Sequence, residues 1–224
     1  MALIDGPRLP PAVGGAARQL VVFLHGYGAD GNDLIGLGRE WATALPHAAF
    51  VSPHAPEPCG MSPMGRQWFN LTFRDPGEMA RGVKHAAPAL NAFLDAELER
   101  HNLPARALAL VGFSQGTMLG LGVGLTRQPP PAAIVGYSGA LAPVEALPTN
   151  PAEAPAILLV HGEIDELIPI EAMFIAREQL ARAGLAIEWH VAQGIGHGID
   201  GEGLRLGGAF LKQAFAAAQL AQGS

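Results

Sequence analysis

Residues 107–127 read ALALVGFSQGTMLGLGVGLTR, from Ala107 to Arg127. The first part, Ala107–Gly112, is a short apolar run that fits a buried strand. The part after Ser114 fits a helix packed closely on a sheet. Between them stands Gly112-Phe113-Ser114-Gln115-Gly116, a G-x-S-x-G pattern placed where a strand turns into a helix. So tight a turn leaves no room for side chains on its flanks, and glycine occupies both. The strained turn projects the Ser114 hydroxyl outward. The helix N-terminus behind it offers N–H groups and a positive dipole end to a developing oxyanion. Five-residue patterns of this kind also arise by chance, so the strand–turn–helix context carries the reading. The uncharged window has the length of a membrane span, about 20 residues. However, Ser114, Gln115, Thr117 and five glycines interrupt it, and no transmembrane segment is expected.

Outward from this stretch, short apolar runs at Gln19–Leu24, Ala49–Ser52, Ala132–Tyr137, Ala156–His161 and Ala186–Ala192 read as strands. Helical patterns lie between them. Met79, Val83, Ala86, Leu90, Phe93, Leu94 and Leu98 recur at helical spacing, and Pro88 is expected to kink or split that helix. Nearly continuous apolar strands alternating with helices predict a mostly parallel sheet covered on both faces. Residues 1–224 are expected to form one domain, with an N-terminal segment at 1–18. Residues 53–77 carry five prolines with Met61, Met64, Trp68 and Phe69. They predict a long loop on the substrate side.

Composition narrows the functions. Of 224 residues, 49% are hydrophobic and 15% charged, enough apolar material for a large core and too much for a disordered chain. The net charge is −6 and no Lys/Arg cluster occurs, so no nucleic acid is expected as a partner. A lone cysteine, Cys59, excludes an internal disulfide and a cysteine-rich metal site. The eight histidines show no H-x-x-x-H pairing, so no metal is expected. Asp5, Pro7 and Arg8 interrupt the start of the chain before a secretory signal could form. The cytoplasm is therefore the expected location.

A nucleophilic serine on such a turn needs an acid and a histidine later in the chain. His161, His190 and His197 follow Ser114. His161 precedes the acid candidates and breaks the order. His190 lies inside a predicted strand. His197 sits in Gly194-Ile195-Gly196-His197-Gly198, a flexible loop after the last strand, where a general base belongs. Asp165 in His161-Gly162-Glu163-Ile164-Asp165-Glu166 is the preferred acid, with Glu163 as the alternative. The amides of Leu24 and Gln115 are the expected oxyanion donors, and His25 is expected to bond neighbouring loop backbone.

Leu24-His25-Gly26-Tyr27-Gly28-Ala29-Asp30-Gly31-Asn32-Asp33-Leu34, the G-F-S-Q-G at 112–116, His161-Gly162-Glu163-Ile164-Asp165-Glu166-Leu167-Ile168-Pro169 and Gly196-His197 together resemble the small carboxylesterase, lysophospholipase and acyl-protein thioesterase family. The likeness spans roughly residues 19–220. It implies the α/β-hydrolase fold without a large lid domain. It also implies a cofactor-free serine hydrolase with Ser114, Asp165 and His197 as triad and Leu24 and Gln115 as oxyanion residues. Trp68 resembles the family's substrate-loop aromatic. Gly198 stands where many relatives carry an acid after the histidine, and Thr117 where glycine is frequent. The expected substrate is a short- to medium-chain carboxylic ester. Alternatives are a lysophospholipid or an S-acylated protein, and, in another class, a non-catalytic binding protein of the same fold. Met64, Trp68, Phe69 and Leu71, with Met61, supply an apolar wall for an acyl chain or else pin the loop to the core. Both a monomer and a homodimer fit the sequence.

Overall fold

The computed structural model describes residues 4–60, 62, 64–72, 74–75, 77–143, 147–148, 150–151 and 154–222. Met61 lies outside them. The main sheet is built from β1 (Arg8–Leu9), β2 (Gln19–Leu24), β3 (Ala48–Val51), β6 (Leu108–Phe113), β7 (Ala133–Tyr137), β8 (Ala156–Gly162) and β9 (Ile187–Ala192). Its order is β1-β3-β2-β6-β7-β8-β9. β1 joins β3 antiparallel, and the other neighbours pair in parallel. The helices are α1 (Gly31–Trp41), α2 (Glu78–His101), α3 (Gln115–Thr126), α4 (Glu171–Arg182) and α5 (Gly201–Gln222).

Period-2 alternation sorts the strand side chains into two layers. Leu20, Val22 and Leu24 of β2 join a core with Val83, Leu90 and Leu94 of α2 and Met118 and Leu119 of α3. Val21 and Phe23 face the other way, toward Leu34 and Trp41 of α1 and Leu211 and Phe215 of α5. The uncharged, largely apolar α3 is explained by burial on both sides. A side chain at Gly124 would strike Ile134 of the sheet, and one at Gly122 would strike Val83 of α2.

Three features differ from the sequence reading. Pro88 does not split α2, which runs through it. Pro88 is exposed while Val83, Ala86, Leu90 and Phe93 pack inward, so burial of that stripe offsets the local proline penalty. The loop at 53–77 contains a small antiparallel pair, β4 (Glu57–Pro58) with β5 (Arg66–Gln67). The N-terminal segment contributes β1 to the sheet edge. Two-residue strands leave no periodic trace. At the opposite edge, β9 is only partly buried.

Candidate active site

Ser114 sits between β6 and α3 with φ 54° and ψ −115°. A non-glycine residue in this region carries strain of about 1–3 kcal/mol, a cost that recurs at functional sites. Its surroundings enforce the conformation. The Ser114 N–H donates to the Tyr137 carbonyl (2.9 Å), and the Ser114 carbonyl accepts from Thr117 N (3.0 Å) and Met118 N (3.2 Å). A side chain at Gly112 would overlap the Gly116–Thr117 backbone, and one at Gly116 would overlap the Leu24 carbonyl. Two glycines thus let the helix begin directly against the sheet.

His197 lies on the loop between β9 and α5. Its Nδ1 is 2.8 Å from Oδ2 of Asp165. Its ring centroid is 4.9 Å from that of Phe113, the neighbour of Ser114. A proton on Nδ1 held by Asp165 leaves Nε2 as the basic nitrogen. The other oxygen of Asp165 accepts from Leu167 N (3.0 Å) and Ile168 N (2.9 Å). Burial pushes this carboxyl up, but the Ile168 amide, the His197 hydrogen bond and charge, and the Leu167 amide outweigh it. The net effect is a pKa below the ordinary aspartate value.

Further contacts hold the base loop. Glu163, the alternative acid, is exposed and accepts from Gly194 N (2.9 Å). Ser138, buried with φ 46°, donates to the Gly198 carbonyl (3.2 Å). His161 is buried, donates from Nε2 to the Ile168 carbonyl (2.8 Å) and stands 3.4 Å from Oδ2 of Asp165. His190 lies on β9 opposite Val160, within the edge strand. Neither Ser138 nor His161 stood out for these contacts in the sequence, because their partners lie in other elements or across a turn.

The oxyanion side draws on two segments. Gln115 is the first residue of α3 and wholly buried. Leu24, expected as the second donor, closes β2, pairs with Gly112 in the ladder and is wholly buried. The loop residue lying against Ser114 is Gly26, where an added Cβ would be 3.4 Å from the Ser114 Cβ. His25 explains the loop's shape. Its Nε2 accepts from Ala55 N (3.0 Å), so Nδ1 carries the proton and donates to the Gly26 carbonyl (2.8 Å). Burial lowers the pKa of this imidazole, favouring the neutral form. In a planar trans peptide the N–H opposes the carbonyl. The Tyr27 N–H therefore points away from His25, and among the described residues no protein group accepts from it. Peptide orientation of this kind is invisible in sequence.

Met64, Trp68, Phe69 and Leu71, expected either to wall an acyl chain or to pin the loop to the core, take up different places. Trp68 and Phe69 are 1% and 2% exposed, closed into the core with Leu24 and Met118. Met64 is 88% exposed, and Leu71 is partly buried against the same core. The Trp68 indole donates to the His25 carbonyl (3.0 Å), and its backbone N–H donates to Oε1 of Gln115 (2.9 Å). Four aromatic and apolar loop residues therefore split into two core residues, one at the core margin and one in solvent. Large rings bury themselves when a core is within reach.

Residues 12–214 match the phospholipase/carboxylesterase family. The chain belongs to this family. Esterase YpfH of Escherichia coli (strain K12) is 29% identical over 190 residues, covering 84% of this chain and 80% of that protein. The crystal structure of esterase PE8 superposes with a TM-score of 0.87 at 40% identity, over 94% of this chain and 99% of that one. Zea mays acyl-protein thioesterase 2 shares the fold, with a TM-score of 0.73 at 22% identity, over 94% and 99% of the two chains. This chain is a hydrolase acting on ester bonds with an α/β-hydrolase fold, and the described residues include no large lid domain. Among the described residues, no helix is long and apolar enough to cross a membrane.

Proposed function

We propose that the chain is a serine carboxylesterase that cleaves short- to medium-chain esters through an acyl-enzyme on Ser114. The observation that carries this reading is the 2.8 Å contact of His197 Nδ1 with a wholly buried Asp165 side chain, beside a strained serine turn. His197 Nε2 takes the proton of Ser114 as its oxygen attacks the acyl carbonyl. The tetrahedral oxyanion receives hydrogen bonds from the amides of Gln115 and Tyr27, the latter in place of Leu24. His197 then protonates the departing alcohol. Water repeats the sequence on the acyl-enzyme and releases the acid.

Asp165 fixes the imidazole tautomer and stabilises the imidazolium. The free, buried Cys59 fits a reducing compartment, and the cytoplasm is the proposed location.

A fluorophosphonate probe tests the nucleophile. The wild type should be labelled once, at Ser114, and Ser114→Ala should not be labelled. No labelling of the wild type would leave a binding protein of the same fold. A series of p-nitrophenyl esters, run beside lysophosphatidylcholine and an acyl thioester, tests the substrate. Preference for the lysolipid or the thioester would overturn the short-chain assignment.

A further inference from the structure

The Trp68–Phe69 segment touches both halves of the proposed oxyanion hole. On one side, the Trp68 indole N–H donates to the His25 carbonyl at 3.0 Å, and the two rings lie 5.4 Å apart. His25 in turn holds the Gly26 carbonyl, and so fixes the direction of the Tyr27 N–H. On the other side, the Gln115 side chain is wholly buried and spends both of its polar atoms on this segment. Its Oε1 accepts from Trp68 N at 2.9 Å, and its Nε2 donates to the Phe69 carbonyl at 2.7 Å. Phe69 is locked from behind by α2, since a side chain at Gly82 would overlap its ring.

From this geometry we infer that Trp68 is a positioning residue that aligns the two oxyanion donors, rather than part of an acyl-binding wall. The inference rests on the proposed serine esterase reading. Its physical basis is preorganisation. Donors stabilise a developing oxyanion only if they are held in place before the charge appears. The Tyr27 and Gln115 amides belong to separate segments, the loop after β2 and the start of α3, and side-chain hydrogen bonds fix the orientation of each. Buried hydrogen bonds have no competing water, so each fixes its partners strongly. Trp68 makes one such bond toward each donor. The loop thereby becomes the brace of the catalytic centre.

Trp68→Phe keeps an aromatic ring and removes the indole donor. Removing an oxyanion donor outright costs about 10²–10³ in kcat, and displacing one should cost less, about tenfold. That loss should appear in kcat, with KM unchanged, and be equal for C2 to C10 esters. A trifluoromethyl ketone provides the decisive readout. The Ser114 hydroxyl adds to its carbonyl, the proton passes to His197, and the resulting hemiketal oxyanion occupies the hole. Its inhibition constant should rise by the same factor as kcat falls. A merely structural role would lower the melting temperature and leave the ketone affinity of the folded fraction unchanged, which would overturn the inference. A loss that grows with acyl-chain length would also overturn it and restore the acyl wall. Gln115→Met provides the second arm should Trp68→Phe fold poorly. It keeps the backbone amide, removes both side-chain bonds and should give the same pattern. Failure of the wild type itself to take the fluorophosphonate or turn over esters would reject the esterase reading. A fully active Trp68→Phe in an active wild-type background would reject only the brace.

Discussion

Asp165 and His197 are thirty-two residues apart in sequence, and Oδ2 of one lies 2.8 Å from Nδ1 of the other. The remaining Asp165 oxygen is occupied by two backbone amides, so the carboxylate cannot rotate away from the imidazole without breaking them. Asp165→Asn is therefore expected to lower kcat by roughly 10³–10⁴ with little change in KM, because tautomer control matters in the chemical step. Glu163→Gln should stay near wild-type activity, since an amide oxygen still accepts from Gly194. Steady-state kinetics of the two variants decide between the acids.

The same carboxyl links stability to pH. Its pKa is depressed in the fold despite burial, so the native state favours the ionised form. That contribution is present above the unfolded value, about 3.9. It is lost as pH falls through the lower folded value, where both states become protonated. Urea midpoints from pH 7 down to pH 3 should show the wild type losing stability faster than Asp165→Asn below about pH 4. Parallel curves would mean that the carboxyl titrates alike in both states.

Ser114 holds φ 54°, a region that glycine enters freely. Ser114→Gly should abolish turnover, with a kcat loss of order 10⁴ or more. It should also melt at or above the wild-type temperature, because relief of about 1–3 kcal/mol of strain outweighs the entropy of glycine. Differential scanning calorimetry provides the check, and a lowered melting temperature would contradict stored strain at the elbow.

His161, buried like the Asp165 side chain, stands 3.4 Å from Oδ2 of that residue. Its removal should misplace the acid and lower kcat. His161→Gln, which keeps a donor, should retain more kcat than His161→Leu. In the Asp165→Asn background, His161→Leu should cost little further kcat, as residues acting through one another are non-additive. Additive losses in this double-mutant cycle would assign His161 to packing alone.

Gly116 is the tightest point of the elbow. A single methyl there would overlap the Leu24 carbonyl, a backbone atom that cannot swing aside. Gly116→Ala should therefore destabilise by about 1–3 kcal/mol or more through overpacking. It should also depress kcat by shifting β2 against α3. Chemical denaturation and ester turnover measured together test both effects, and a neutral variant would show that the strand end yields.

Much of the architecture was written in local patterns. Continuous apolar runs such as Leu20–Leu24 and Leu108–Val111 are legible as buried parallel strands because burial on both faces removes the alternation. G-x-S-x-G located Ser114 because the strand-to-helix turn excludes side chains at both flanks. Chain order, together with loop placement after a strand, narrowed the candidates to Asp165 or Glu163 and His197. By contrast, the split that Pro88 allowed does not occur, since its local penalty is offset by a stripe of burial along the helix. The direction of the Tyr27 amide depends on His25, which depends on Ala55 and Trp68 of the 53–77 loop, distant from it in the chain. Whether Trp68 faces a substrate or the core turns on contacts forty-three and forty-seven residues distant. Sequence by itself therefore determined the longer strands and helices, the mostly parallel sheet and the candidate catalytic residues, through short-range sterics, periodicity and chain order. Only the tertiary structure decided which amides point into the site and what the loop aromatics do, because those follow from long-range hydrogen bonds that leave no periodic mark.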